Sequence, residues 1–151
     1  MTGFYDITTK IKETLESEPF VNTVTYGNID DVDLNKQNIF PLSHIVVNNT
    51  NIDDKVINFS ISVLFMDIVD ESKKVRTSKF LGNDNEQDVL NTQLAVATRL
   101  TTLLKRGDLY SDLYQLEGNV SCEPFVDRFE NKLAGWTATF NILVKNDMTR
   151  C

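Results

Sequence analysis

The sequence predicts an α+β fold: an antiparallel β-sheet packed on one face by an N-terminal helix and a long central helix. Three observations lead there. An amphipathic stripe at helical spacing opens the chain, a longer one occupies about residues 85–106, and residues 57–66 and 136–145 alternate apolar and polar positions as strands do. Helices and strands are segregated along the chain instead of alternating as βαβ units, which is the α+β pattern. A length of 151 residues suits one hydrophobic core. We therefore read a single domain over 1–151, with excursions at 28–42 and 70–85.

Each element has a local cause. Phe4, Ile7, Ile11 and Leu15 recur at three- and four-residue steps, so they share one side of a helix, while Lys10, Lys12, Glu13 and Glu16 turn mainly to solvent. Pro19 stops that helix because its ring and missing N–H resist continuation, which predicts a helix over 3–17. Residues 20–27 read as a short strand closed by Gly27-Asn28. The excursion 28–42 is acidic, with Asp30, Asp31 and Asp33, and it finishes at Phe40-Pro41-Leu42. A strand begins at His44–Val47, and the amide-rich run from Asn48 to Asp54 predicts a turn.

The clearest strand follows. Ile57, Phe59, Ile61, Val63 and Phe65 alternate with Asn58, Ser60, Ser62, Leu64 and Met66. One face must be core, and the change from Ser to Leu64 and Met66 predicts that one end of the other face is covered too. After the second excursion, Asn83 or Asp84 caps a helix whose stripe uses Val89, Leu90, Leu94, Val96, Ala97, Leu100, Leu103 and Leu104. Lys105 and Arg106 suit its C-terminal dipole and Gly107 ends it. Residues 110–116 read as ambiguous, with a short helical turn as one reading. Residues 119–129 and the run from Trp136 to Lys145 predict a closing antiparallel hairpin.

Composition narrows function. Hydrophobic residues make up 41% and charged residues 25%, values of a globular chain. With 15 basic and 22 acidic residues the net charge is -7, which argues against a broadly basic nucleic-acid binder. The charge is unevenly placed: residues 1–70 carry -7, residues 71–79 carry +3 through Lys73, Lys74, Arg76 and Lys79, and residues 80–151 carry -3. Cys122 and Cys151 have no disulfide or metal-site spacing, so reduced thiols in a cytosol are expected. The opening Met1–Asp6 has neither a basic n-region nor an apolar run, and no stretch is long enough to span a membrane. Acceptor triplets for N-glycosylation begin at Asn48, Asn58 and Asn119, but they carry no weight without a secretory signal.

Chemistry motifs are scarce. Asp31, Asp33 and Asn35 start a calcium-loop pattern, but Lys36 stands where glycine is needed and Leu42 where the closing Glu belongs. A single histidine, His44, excludes a histidine-based metal cluster and is read as structural. Cys122, inside a strand, is read as core and not as a nucleophile. No nucleophile elbow, paired Cys/His motif or phosphate-cradling glycine loop occurs. We expect no catalytic, metal or cofactor-binding residue and no cofactor. Trp136 and the Phe/Tyr set are expected in the core. The basic loop 71–79 fits a solvated hairpin tip or a contact with an acidic protein surface better than phosphate, and a second copy of this chain supplies such a surface.

The opening helix, the segment "FVNTVTYGNIDDVDLNKQNIFPLSHIVV", the strand "VINFSISVLFMDIVD", the helix "NEQDVLNTQLAVATRLTTLLKR" and the closing "GWTATFNILVKND" together resemble tailed-bacteriophage tail-terminator or tail-completion proteins, and related neck rings of the head–tail junction. The resemblance spans nearly the whole chain and is one of element order. It implies a virion structural protein, a homo-oligomeric ring of 6 or 12 copies in the tail or neck, assembled in the host cytoplasm. Such a ring caps the tail tube or joins it to the head, contacts adjacent tail-tube or connector proteins, and lets DNA pass unread. It implies no enzymatic activity, no cofactor and no membrane. Asp30, Asp31 and Asp33 opposite Lys73, Lys74, Arg76 and Lys79 are then the expected interface between copies. The alternative is a cytosolic α+β enzyme or small-ligand-binding domain with a site between the long helix and the sheet. A third reading is a regulatory module gripping nucleic acid through the basic loop.

Overall fold

The computed structural model describes residues 3–28, 39–69, 86–106, 114–126 and 133–145. Within them lie α1 (Gly3–Glu16), β1 (Thr23–Tyr26), β2 (Leu42–Ile52), β3 (Val56–Ile68), α2 (Glu86–Arg106), β4 (Tyr114–Leu116), β5 (Ser121–Val126) and β6 (Leu133–Lys145). The fold is α+β, as expected: one six-stranded sheet with two helices. Its order is β1-β2-β3-β6-β4, and β5 also pairs with β6, next to β4 along the same strand.

Two local details differ from expectation. The sheet is mixed, because β1 runs parallel to β2 while every other pair is antiparallel. The reason lies in the long excursion between β1 and β2, which returns the chain to the start of its neighbour; a tight hairpin would have reversed it. Strand β2 also continues through Asn48–Ile52, where the amide run predicted a turn. A bulge between Val47 and Asn49 absorbs the irregularity, and ladder bonds to β3 override local turn preference. The actual turn is confined to residues 53–55, closed by Asp53 N–H donating to Val56 O at 2.9 Å. Residues 114–116, read as ambiguous from sequence, are strand.

The core sits between helices and sheet. Ile7, Ile11 and Leu15 of α1 and Val96, Ala97, Leu100 and Leu104 of α2 meet Ile57, Phe59, Ile61, Val63 and Phe65 of β3 and Ala138, Phe140, Ile142 and Val144 of β6. Each of the Val, Leu, Ile and Phe side chains, fully buried, is worth roughly 1.5–3 kcal/mol. The register sets Ile61 beside Phe140 and Phe59 beside Ile142, so the two alternating runs face one way. Trp136 extends this layer, its indole N–H donating to Leu90 O of α2 at 2.8 Å. A second apolar cluster lies on the opposite face at one end: Phe40, Leu42, Leu64, Met66, Phe125 and Leu133 are all buried. Gly135 is required there, because a Cβ would stand 1.8 Å from the Phe65 carbonyl oxygen.

Candidate assembly surfaces

His44 is fully buried on β2 and holds β1 in place. Its Nδ1 accepts from Thr25 Oγ1 at 2.6 Å, and its Nε2–H donates to Gly27 O at 2.7 Å. Both ring nitrogens are therefore used in one neutral tautomer. Burial lowers the pKa below its ordinary value of 6.5, against the raising effect of the Gly27 carbonyl. Gly27 takes φ = 109°, a conformation suited to glycine, and its own N–H donates to Ile45 O at 3.0 Å. The imidazole is thus a tie between strands.

Cys122 is half-buried on β5, and desolvation pushes its thiol up from the ordinary value of 9.0, which suppresses the thiolate. It lines a groove of about 530 Å³ together with Ala97, Thr98, Thr101, Thr102 and Lys105 of α2 and Asn119 and Val120 before β5. No carboxylate is among these lining residues. The hydroxyls of Thr98, Thr101 and Thr102 donate back to the carbonyls of Leu94, Ala97 and Thr98 at 2.8–2.9 Å, so their oxygen lone pairs remain as acceptors. With Lys105 at one end, the groove suits hydroxyl donors and a negative charge.

The opposite flank carries exposed aromatics. Tyr5 is 81%, Tyr26 57% and Phe4 39% exposed. Phe4 packs edge-on against Tyr5 at 5.8 Å and against Tyr26 at 6.1 Å between ring centres. This corrects two expectations. The buried stripe of α1 begins at Ile7 and not at Phe4, since the first turn lies at the end of the helix, past the edge of the core. Nor is the Phe/Tyr set wholly core, for Phe20 is exposed as well, under the Arg99 guanidinium at 5.9 Å. One signal was readable: Tyr5 directly follows Phe4, and adjacent helical residues cannot share a face.

The third surface is the part of the sheet's second face on which no helix packs among the described residues. On the face away from the helices, Asn49 and Asn51 of β2, Asn58, Ser60 and Ser62 of β3, and Thr139 and Asn141 of β6 lie side by side. Ser62 Oγ and Thr139 Oγ1 are 3.2 Å apart, and Asn48 Nδ2 donates to Ser62 Oγ at 2.7 Å. Val46, beside Ser62, and Leu143, beside Asn58, stand on the same face; the other positions are amides and hydroxyls without a charge. Acids flank the patch: Asn58 Nδ2 donates to Glu117 Oε2 at 2.7 Å.

Asp30, Asp31, Asp33, Lys73, Lys74, Arg76 and Lys79 lie outside the described residues, as does Cys151. Among the described residues no cluster of His, Cys, Asp and Glu is placed to hold a metal ion, and no helix is long and apolar enough to cross a membrane. No protein-family profile matches the chain, and no curated protein matches it.

Proposed function

We propose that this chain is a virion structural protein, a subunit of a homo-oligomeric ring at the phage tail or head–tail junction that caps the tail tube or joins it to the head. The observation that carries the reading is the polar half of the sheet's second face, where three consecutive cross-strand rows hold Asn, Ser or Thr at seven of nine positions, the other two being Val46 and Leu143. Such a face can hydrate a passing duplex without gripping it, because retention of DNA needs cations against phosphate. A net charge of -7 acts in the same direction. The element order, with an opening helix, a long second helix and a closing antiparallel strand pair, is the feature on which the resemblance to tail-terminator proteins rests.

Assembly on this reading uses sheet edges and loops. Among the described residues, β1 pairs with four of the eleven residues of β2, and on this reading a neighbour takes the remainder of that edge. Asp30, Asp31 and Asp33 opposite Lys73, Lys74, Arg76 and Lys79 of the next copy supply charge pairing, and adjoining tail-tube or connector proteins occupy the ring's two ends. Native mass spectrometry of the purified chain, with imaging of the particle, tests the reading. We expect a closed ring of 6 or 12 copies located at the tail or neck. A strict monomer at high concentration and low salt, in a particle without such a ring, would overturn it. Reversing Lys73, Lys74 and Arg76 to Glu is expected to impair assembly; unchanged assembly dismisses the charge pairing alone.

A further inference from the structure

We infer that the chain carries both halves of a head-to-tail contact with its own copies: Phe4, Tyr5 and Tyr26 form a knob on one flank, and the groove beside α2 is its receptor on the other. The inference rests on the ring reading and names the partner surface which that reading leaves open.

Position is the first argument. Tyr26 pairs with Ile45, Ile45 with Val63, Val63 with Ala138, and Ala138 with Cys122. Knob and groove therefore stand at the two ends of one transverse row, on the same helix-bearing face. On α2, successive residues advance by about 100°, so Arg99 stands about 100° round from Thr98 and about 120° from Lys105. Arg99 Nε indeed reaches back toward α1, donating to Glu18 Oε2 at 2.7 Å, while the threonines line the groove. Two complementary surfaces at equal height relate successive copies by rotation about an axis along the strands with little rise. Little rise keeps successive copies level, and a ring closes where the rotation per copy divides a full turn.

Shape and chemistry agree. A cavity of roughly 150 Å³ holds one benzene-sized ring, and the groove offers about 530 Å³. Its hydroxyl lone pairs and the Asn119 amide meet the phenolic O–H donors of Tyr5 and Tyr26. Asp6, exposed beside Tyr5 in the first turn of α1, complements Lys105, exposed in the last turn of α2. Clustered exposed aromatics are the usual anchors of protein interfaces, where a few such side chains carry most of the affinity.

The test uses the full chain and two variants at exposed positions, Tyr5→Ala with Tyr26→Ala to remove the knob, and Thr98→Arg with Thr102→Arg to fill the groove. Circular dichroism checks that each folds, and native mass spectrometry with sedimentation reads assembly. Each variant alone should lose about tenfold or more in association. Mixed in equal amounts they should form a two-chain complex and stop there, since the mixture retains one intact knob and one intact groove per pair. A charge swap is the gentler check: Asp6→Lys or Lys105→Glu weakens assembly, and the two together restore it. Rings that persist at wild-type affinity in all variants overturn this contact and leave the ring reading intact. Variants that fall apart but give neither the mixed pair nor the charge rescue overturn the head-to-tail geometry. A wild-type chain that remains monomeric at high concentration and low salt, in a particle without such a ring, overturns the ring reading, and this contact with it.

Discussion

The two faces of the sheet share the strands β2, β3 and β6, yet they have opposite characters. Toward the helices, Ile57, Phe59, Ile61, Val63 and Phe65 stand in an unbroken apolar row that α1 and α2 seal from water. On the other side the same strand reads Asn58, Ser60 and Ser62 before turning apolar at Leu64 and Met66, where a second small cluster is buried. A strand's two-residue period lets one sequence write both texts at once. The difference teaches that apolar packing and polar surface are separated here by parity along most of β3. The helix side holds the domain together, and the open amide and hydroxyl half is free to serve an outside surface.

Substitutions sharpen that contrast. Phe140→Ala on the sealed face should cost the most, about 3–5 kcal/mol, through lost burial and a cavity that cannot collapse; chemical denaturation measures it. Gln93, buried on α2 with neither amide atom bonded, is an exception on the dry side. Gln93→Leu is expected to raise stability by about 1–3 kcal/mol, because it removes an unpaired polar group from the interior. If stability falls instead, that amide has a partner or role of its own.

His44 gives a smaller, pH-dependent effect. Its folded pKa lies below 6.5, so as pH drops beneath that value the unfolded chain takes up a proton that the folded chain refuses. Stability should decline from about pH 6.5 downward and stop declining from this source once the folded imidazole is protonated. As the chain has one histidine, denaturation midpoints measured between pH 7.5 and 5.5 isolate the effect, and His44→Gln should remove that part of the slope. The least effect is expected on the open face. Asn141→Ala should shift stability by no more than about 0.5 kcal/mol, and a larger loss would show that this face bears structure after all.

Much of this was legible in the chain before any coordinates. The stripe Ile7, Ile11 and Leu15, the α2 pattern and the alternation in β3 and β6 each define an element by periodicity, and all four form near the expected bounds. The structural role of His44 was expected from its isolation, and its two hydrogen bonds supply the detail. The strand status of Asn48–Ile52 was not legible, because amide residues favour turns locally and only the ladder to β3 holds them extended. Of the knob only Tyr5 was legible, as the immediate neighbour of a stripe position; Phe4 fits the stripe by spacing, and its exposure depends on where the core ends.

Periodicity and punctuation act within a few residues, and so secondary structure and the apolar side of each element are written in the chain itself. The parallel β1–β2 pairing, the buried Leu42–Met66 cluster and the row from Tyr26 to Cys122 join residues up to about a hundred positions apart. Such neighbours are chosen by strand order and register, which arise when the whole sheet closes on its helices. Local rules are blind to both, and it is register that puts an aromatic knob at one end of a row and a groove at the other.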